Sequence, residues 1–132
     1  MTSRDILNAR QITRKAIPLE KAEVHDTAYV ADADMLAADI TPSAVGPTPD
    51  TVIPPCLFRI SVCLDTAAVF KIIIDDGTTE VDIALNSGAQ LVAQAGYTFD
   101  WPINEGDSVN FEADQNVQIE KLIVHEVLWA TQ

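Results

Sequence analysis

At 132 residues the chain has room for one domain, and its 48% hydrophobic and 21% charged residues are ordinary for a globular protein. No apolar run approaches the roughly 20 residues that a membrane-spanning helix needs. The N-terminus lacks the apolar stretch and small-residue cleavage site of a secretory signal, so a soluble protein made in the cytoplasm is expected.

The formal net charge of −12 is unevenly placed. Residues 1–21 hold Arg4, Arg10, Arg14, Lys15 and Lys21 against Asp5 and Glu20, a net +3. The remainder holds Arg59, Lys71 and Lys121 against eighteen acids, a net −15. Such a body repels nucleic acid and anionic membranes, while the basic stretch suits an acidic protein surface. A phosphate backbone is the less favoured partner for Arg10, Arg14 and Lys15.

Residues 1–55 do not read as a packed domain. Ser3 caps a short expected helix with Ile6, Ala9, Ile12 and Ala16 along one side, ended by Pro18. Pro42, Pro47, Pro49, Pro54 and Pro55 then mark an extended linker. The expected organisation is an extended N-terminal arm and Pro-rich linker over 1–55, followed by a β-sandwich domain over 56–132.

From Leu57 the pattern changes to period two. Phe58, Ile60, Val62 and Leu64 alternate with Arg59, Ser61 and Cys63, as in a half-buried strand. Val69–Asp75 reads as a second strand, and Asp76-Gly77 as a hairpin turn. Thr79, Val81, Ile83 and Leu85 face one way on the return strand, which ends at the Asn86-Ser87-Gly88 turn. A short strand is expected at Gln90–Ala93, then one carrying Tyr97, Phe99, Trp101 and Ile103. Val109 and Phe111 point inward after the turn at Asn104–Asp107. The last strand, Val117 to about Trp129, shifts its apolar phase near Glu120–Lys121, as a β-bulge does. Six or seven such strands without helices predict an all-β fold, an antiparallel β-sandwich or jelly-roll-like barrel.

Candidate chemistry is sparse. Cys56 and Cys63 are seven steps apart on one strand, about 23 Å at a strand's rise. They cannot pair with each other, so free thiols are expected, with an intermolecular bridge as the sharper reading. His25 lies in the arm, and His125 shares parity with Ile123 and Val127 as a structural imidazole would. A pairing of His125 with Cys56 or Cys63 has no supporting motif. Asp32-Ala33-Asp34 and Asp75-Asp76-Gly77 cluster oxygens without the alternating ligands of a calcium loop. No CxxC, HxxxH or glycine-rich phosphate loop occurs. No catalytic, cofactor or metal residue is nominated, and a non-enzymatic protein is expected.

The stretch Leu85–Phe111, LNSGAQLVAQAGYTFDWPINEGDSVNF, resembles a segment of virion structural proteins of tailed bacterial and archaeal viruses. The features that carry the resemblance are Asn86-Ser87-Gly88, Leu91, Tyr97-Thr98-Phe99-Asp100, Pro102 and Gly106-Asp107-Ser108 leading to Asn110-Phe111. Phe58-Arg59-Ile60-Ser61-Val62 and the Asp76-Gly77 turn fit the same picture, so it spans residues 57–129. It implies a capsid-associated decoration or cement subunit, or a tail component, in a virion assembled in the host cytoplasm. Its partners would be other copies of itself and major capsid or tail proteins. Arg4, Arg10, Arg14, Lys15 and Lys21 form the expected partner-binding arm. The alternative is a receptor- or carbohydrate-binding sandwich on a tail fibre or baseplate, with Trp129 a better sugar platform than Trp101.

Overall fold

The described residues of this computed structural model are 14–42 and 56–131, with side chains placed for 19–42 and 57–127. Seven strands carry the fold: β1 (Arg14–Tyr29), β2 (Cys56–Leu64), β3 (Phe70–Asp75), β4 (Glu80–Ala84), β5 (Gly96–Ile103), β6 (Ser108–Ala113) and β7 (Val117–Thr131). They form two antiparallel sheets, ordered β1-β7-β2-β5 and β4-β3-β6. The all-β sandwich expected from the alternation is what the chain adopts.

The core forms where the apolar phases of the two sheets meet. Phe58, Ile60, Val62 and Leu64 of β2 lie opposite Phe70 and Ile72 of β3 and Val109, Phe111 and Ala113 of β6 in one buried cluster. The rings of Phe70 and Phe111 stack at 5.5 Å between centroids, an arrangement that adds to simple burial. On β7, Val117 and Ile119 are buried, then Leu122 and Val124. The change of parity is the expected bulge: Cys63 pairs with Lys121 but Leu64 pairs with Ile119, leaving Glu120 as the extra residue. Turns follow their residue chemistry. Asp75 and Asp76 accept hydrogen bonds from the N–H groups of Gly77, Thr78 and Thr79, and Gly77 takes the positive φ of 93° that the reversal needs.

The structure corrects the expected boundary at residue 55. Residues 14–29, expected in an arm, are β1, paired with β7 from Arg14–Thr131 to Tyr29–Val117. Most of the helix expected from Ser3 onward lies outside the described residues, and its final turn, from Arg14 on, is strand. The reason is the length of β7. Its edge away from β2 would otherwise leave a long row of backbone donors and acceptors without partners. The following segment is also part of the domain. Asp32 and Met35 donate backbone N–H to the carbonyls of Ala113 and Phe111, and Ile40 bridges Val109 in both directions. Met35 and Leu36 are core residues. The strand expected at Gln90–Ala93 reduces to a single bridge between Leu91 and Ala68, because only Leu91 of that stretch is buried.

The pairing is nested. With residues 31–42 counted as one position, the first segment pairs with the last (β1 with β7) and the second with the second-last (31–42 with β6). The third pairs with the third-last (β2 with β5), and the middle two with each other (β3 with β4). The doubled chain then closes through β2–β7 and β3–β6 contacts.

Asn110 holds the 31–42 segment to the second sheet. Its side chain is 3% exposed. The Oδ1 accepts from the N–H of Leu36 and Phe111, while Nδ2 donates to the Leu36 carbonyl and to Asp39. An alanine there leaves the buried Leu36 N–H and carbonyl without a side-chain partner. Asn110→Ala should cost about 2–4 kcal/mol in urea unfolding. The same variant should raise hydrogen exchange selectively at Met35, Leu36 and Ile40; protection unchanged at those amides would show that the segment is held by other means.

Candidate functional site

The outer face of the β1-β7-β2-β5 sheet carries most of the groups with chemical potential. Arg59 on β2 donates two hydrogen bonds to Asp100 on β5, at 2.9 and 3.1 Å, and this holds the Asp100 carboxyl below its usual range. Ser61 and Thr98 share a hydrogen bond one pair further along. On β7, His125 lies opposite Arg59 on one side and Glu20 on the other. His25 contacts the Glu23 carboxylate. A hydrogen bond from Glu23 raises the Glu20 carboxyl, and the same bond, with His25, lowers Glu23. The two histidines of the chain, one hundred positions apart, thus share one solvent-facing surface.

These groups do not assemble a nucleophile and base. Cys63 pairs with Lys121, whereas His125 is four residues further along β7, about 13 Å at a strand's rise. The Cys63 thiol donates to Glu120 at 3.4 Å. Burial first, and then that carboxylate, push the thiol above its ordinary value. Cys56 and Cys63 lie at opposite ends of the one continuous β2, and Cys63 is free. A part-buried thiol held beside a carboxylate makes a weak nucleophile. Cys63 should therefore react with iodoacetamide at neutral pH several-fold more slowly than in the urea-unfolded chain; equal rates would remove this account of its environment.

The outer face of the β4-β3-β6 sheet has a different character. Register places Asp75, Glu80, Asp82 and Glu112 on it beside Lys71 and Ile73. The 31–42 segment adds Asp32, 3.3 Å from the Lys71 ammonium, and Asp39, which accepts from Ser108. Asp34 lies near Glu112, whose carboxyl is raised above its usual range by burial first and then by Asp82 and Asp34. Seven carboxylates therefore share this surface with one ammonium. The two acidic pairs considered for calcium serve other ends, Asp32 and Asp34 in these side-chain pairs and Asp75 and Asp76 in the hairpin turn. Among the described residues no three metal-ligating side chains converge.

Because the folded pKa of Glu112 is raised, the folded state favours its protonated form. Its stabilising share is complete below the unfolded pKa and is lost as pH rises through the folded value. Glu112→Gln should therefore raise stability at pH 7 by about 0.5 kcal/mol, the scale of an exposed charge contact. The gain should shrink as pH falls through the folded pKa and be gone well below the unfolded one, by about pH 3. Urea titrations at the two pH values read this directly, and a gain independent of pH would assign it to something other than charge.

Two apolar features remain. A groove of about 440 Å³ opens where β1 faces the 31–42 segment, floored by Ala22, Val24, Met35, Leu36 and Ile40. At the other side of the sandwich, Tyr97, Phe99 and Trp101 follow the inward phase of β5 but are only partly buried. Tyr97 and Phe99 stack at 6.1 Å, and the Tyr97 hydroxyl accepts from the Val92 N–H. Trp101 is thus partly in the core. The Trp129 side chain lies outside the described residues.

The expected partner-binding arm separates into three parts. Arg4 and Arg10 lie outside the described residues. Arg14 and Lys15 begin β1, opposite Thr131 and Ala130. Lys21 does not belong to an arm. It occupies the bulge between Glu20 and Ala22, and its ammonium lies 4.0 Å from the fully buried carboxylate of Glu126. A buried carboxylate requires such a partner, so Lys21 is spent within its own chain. Alternation suggested neither Glu126 nor Asn110; for Glu126 an acid at an inward-phase position was the signal, whereas Asn110 lies on the outward phase of β6 and gave none. No protein-family model, curated protein or solved structure matches the chain.

Proposed function

We propose that the chain is a non-enzymatic structural subunit of a virus particle, a decoration or cement protein that binds copies of itself and a capsid or tail protein. The nested pairing carries this reading. A chain doubled on itself, first segment with last and so on inward, then wrapped so that β7 meets β2 and β6 meets β3, supports a jelly-roll-like reading of the sandwich. That architecture recurs in viral capsid and lectin domains. The resemblance of Leu85–Phe111 to virion structural proteins supports the same reading, and the net charge of −15 beyond residue 21 argues against nucleic acid as the partner. The backbone of residues 14–42 is bonded into its own domain, so contact with neighbours falls on this reading to the basic N-terminal stretch and to outward-facing side chains.

A tail-associated module that binds a receptor carbohydrate is the second reading. It is favoured by the half-exposed Tyr97, Phe99 and Trp101 on β5, since sugars stack on such rings.

Sedimentation and electron imaging of the purified full chain, beside a version beginning at Arg14, separate these readings. A larger deletion would remove β1. The full chain should form a defined oligomer or array, and the shortened chain should assemble at least about tenfold more weakly. A monomer at every concentration would sink the assembly role. Glycan-array binding abolished by Phe99→Ala would promote the second reading in its place.

A further inference from the structure

We infer that the outer face of the β4-β3-β6 sheet receives the basic N-terminal stretch of a second copy of this chain, giving a head-to-tail contact. The inference rests on the reading of the chain as an assembly subunit and specifies which surfaces meet.

The receiving side is the carboxylate-rich face. Asp32, Asp34, Asp39, Glu80 and Asp82 are exposed on or beside it, and Lys71, the ammonium within reach of them, is already engaged by Asp32. Burial first, and then the neighbouring acids Asp82 and Asp34, raise the Glu112 carboxyl above its usual range, as crowded like charges do. A cation placed over this face removes that conflict.

The donating side is set by sequence and register. Arg4, Arg10, Arg14 and Lys15 face only Asp5 over the first fifteen residues. Arg14 and Lys15 sit at the end of β1, in pairs with Thr131 and Ala130. The β2–β7 register begins only at Leu57–Val127, so the β1–β7 ribbon runs four pairs past it, roughly 13 Å of strand. The backbone of Arg14 and Lys15 is thereby placed at the extremity of this ribbon.

Arg14 and Lys15 cannot meet the acidic face of their own chain. Arg14 and Lys15 belong to the β1-β7-β2-β5 layer, and the acidic face points away from that layer, beyond a sheet spacing of about 10 Å. Contact between these surfaces therefore joins different copies. Repeated in one direction it generates a ring or a row of subunits, and exchanged reciprocally it generates a closed pair.

The test is a charge exchange on the full chain. One variant carries Glu80→Lys and Asp82→Lys, both exposed on β4; the other carries Arg10→Glu and Lys15→Glu. Circular dichroism and urea midpoints establish that both fold. In sedimentation velocity at about 0.05 M NaCl the wild type should self-associate, and about 0.5 M NaCl should weaken that at least tenfold. Each variant alone should remain monomeric. An equimolar mixture should form a two-chain complex, because the unaltered basic stretch of the first variant still meets the unaltered acidic face of the second. Variants that each still assemble like the wild type would overturn this interface while leaving the assembly role intact. A wild type that is monomeric in all conditions would overturn both.

Discussion

Strand β7 is hydrogen-bonded along both edges, to β1 over its whole length and to β2 over its first two thirds. The phase of its side chains therefore decides which residues of both neighbours face inward. That phase changes once, at Glu120, and the neighbours accommodate the change differently. On β2 the strand simply ends one residue later, at Leu64. On β1 the inward positions move from Ala22 and Val24 to Tyr29. Asp26 takes a positive φ of 44° between the pairs His25–Lys121 and Thr27–Ile119. A bulge that turns one strand thus obliges a second distortion in its partner. Without both, either Ile119 or Leu122 would face water, at a cost of about 1.5–3 kcal/mol for either side chain.

Buried polar groups do the work of tethering. Asn110 uses its carbonyl and amide groups to fix residues 36–39 across β6, and Glu126 with Lys21 ties the bulged part of β1 to β7. Both tethers act on residues before 43. The hydrophobic core from β2 onward is nearly continuous, but the earlier segments contribute few apolar side chains, chiefly Ala22, Val24, Met35, Leu36 and Ile40. Directional bonds compensate for that thin apolar contribution, and they demand a unique register where burial alone would accept several.

The same contrast explains what the sequence disclosed. Phe58–Leu64 and Tyr97–Ile103 alternate cleanly, so their strands were legible, and so was the bulge near Glu120, because Val117/Ile119 and Leu122/Val124 are out of phase. The β1 stretch Leu19–Ala28 hides its alternation. The extra residue Lys21 breaks parity, and the inward positions are small or widely spaced. Residues 31–42 were illegible for another reason: they are held through backbone bonds to β6 and through Asn110, seventy residues away, and no local pattern reports that. The acidic face was visible only as excess charge; the pairing of β3 with β4 and β6 is what gathers it onto one surface.

The free edges bear on how copies can associate. β1, β5, β4 and the 31–42 segment border the two sheets, and exposed edges invite further strands. Each strand edge is interrupted. β1 contains Pro18, the Lys21 bulge and the positive φ of Asp26; β5 contains Pro102, and β4 is only five residues long. Proline removes a ladder donor, and a bulge twists the edge away from a flat approach. Strand addition is thus disfavoured at each of these edges. Association through the faces is the geometry left, and the two outer faces differ. One binds its charges in internal pairs such as Arg59–Asp100. The other gathers seven carboxylates about a single lysine, and so it is the surface on which an oppositely charged segment gains most.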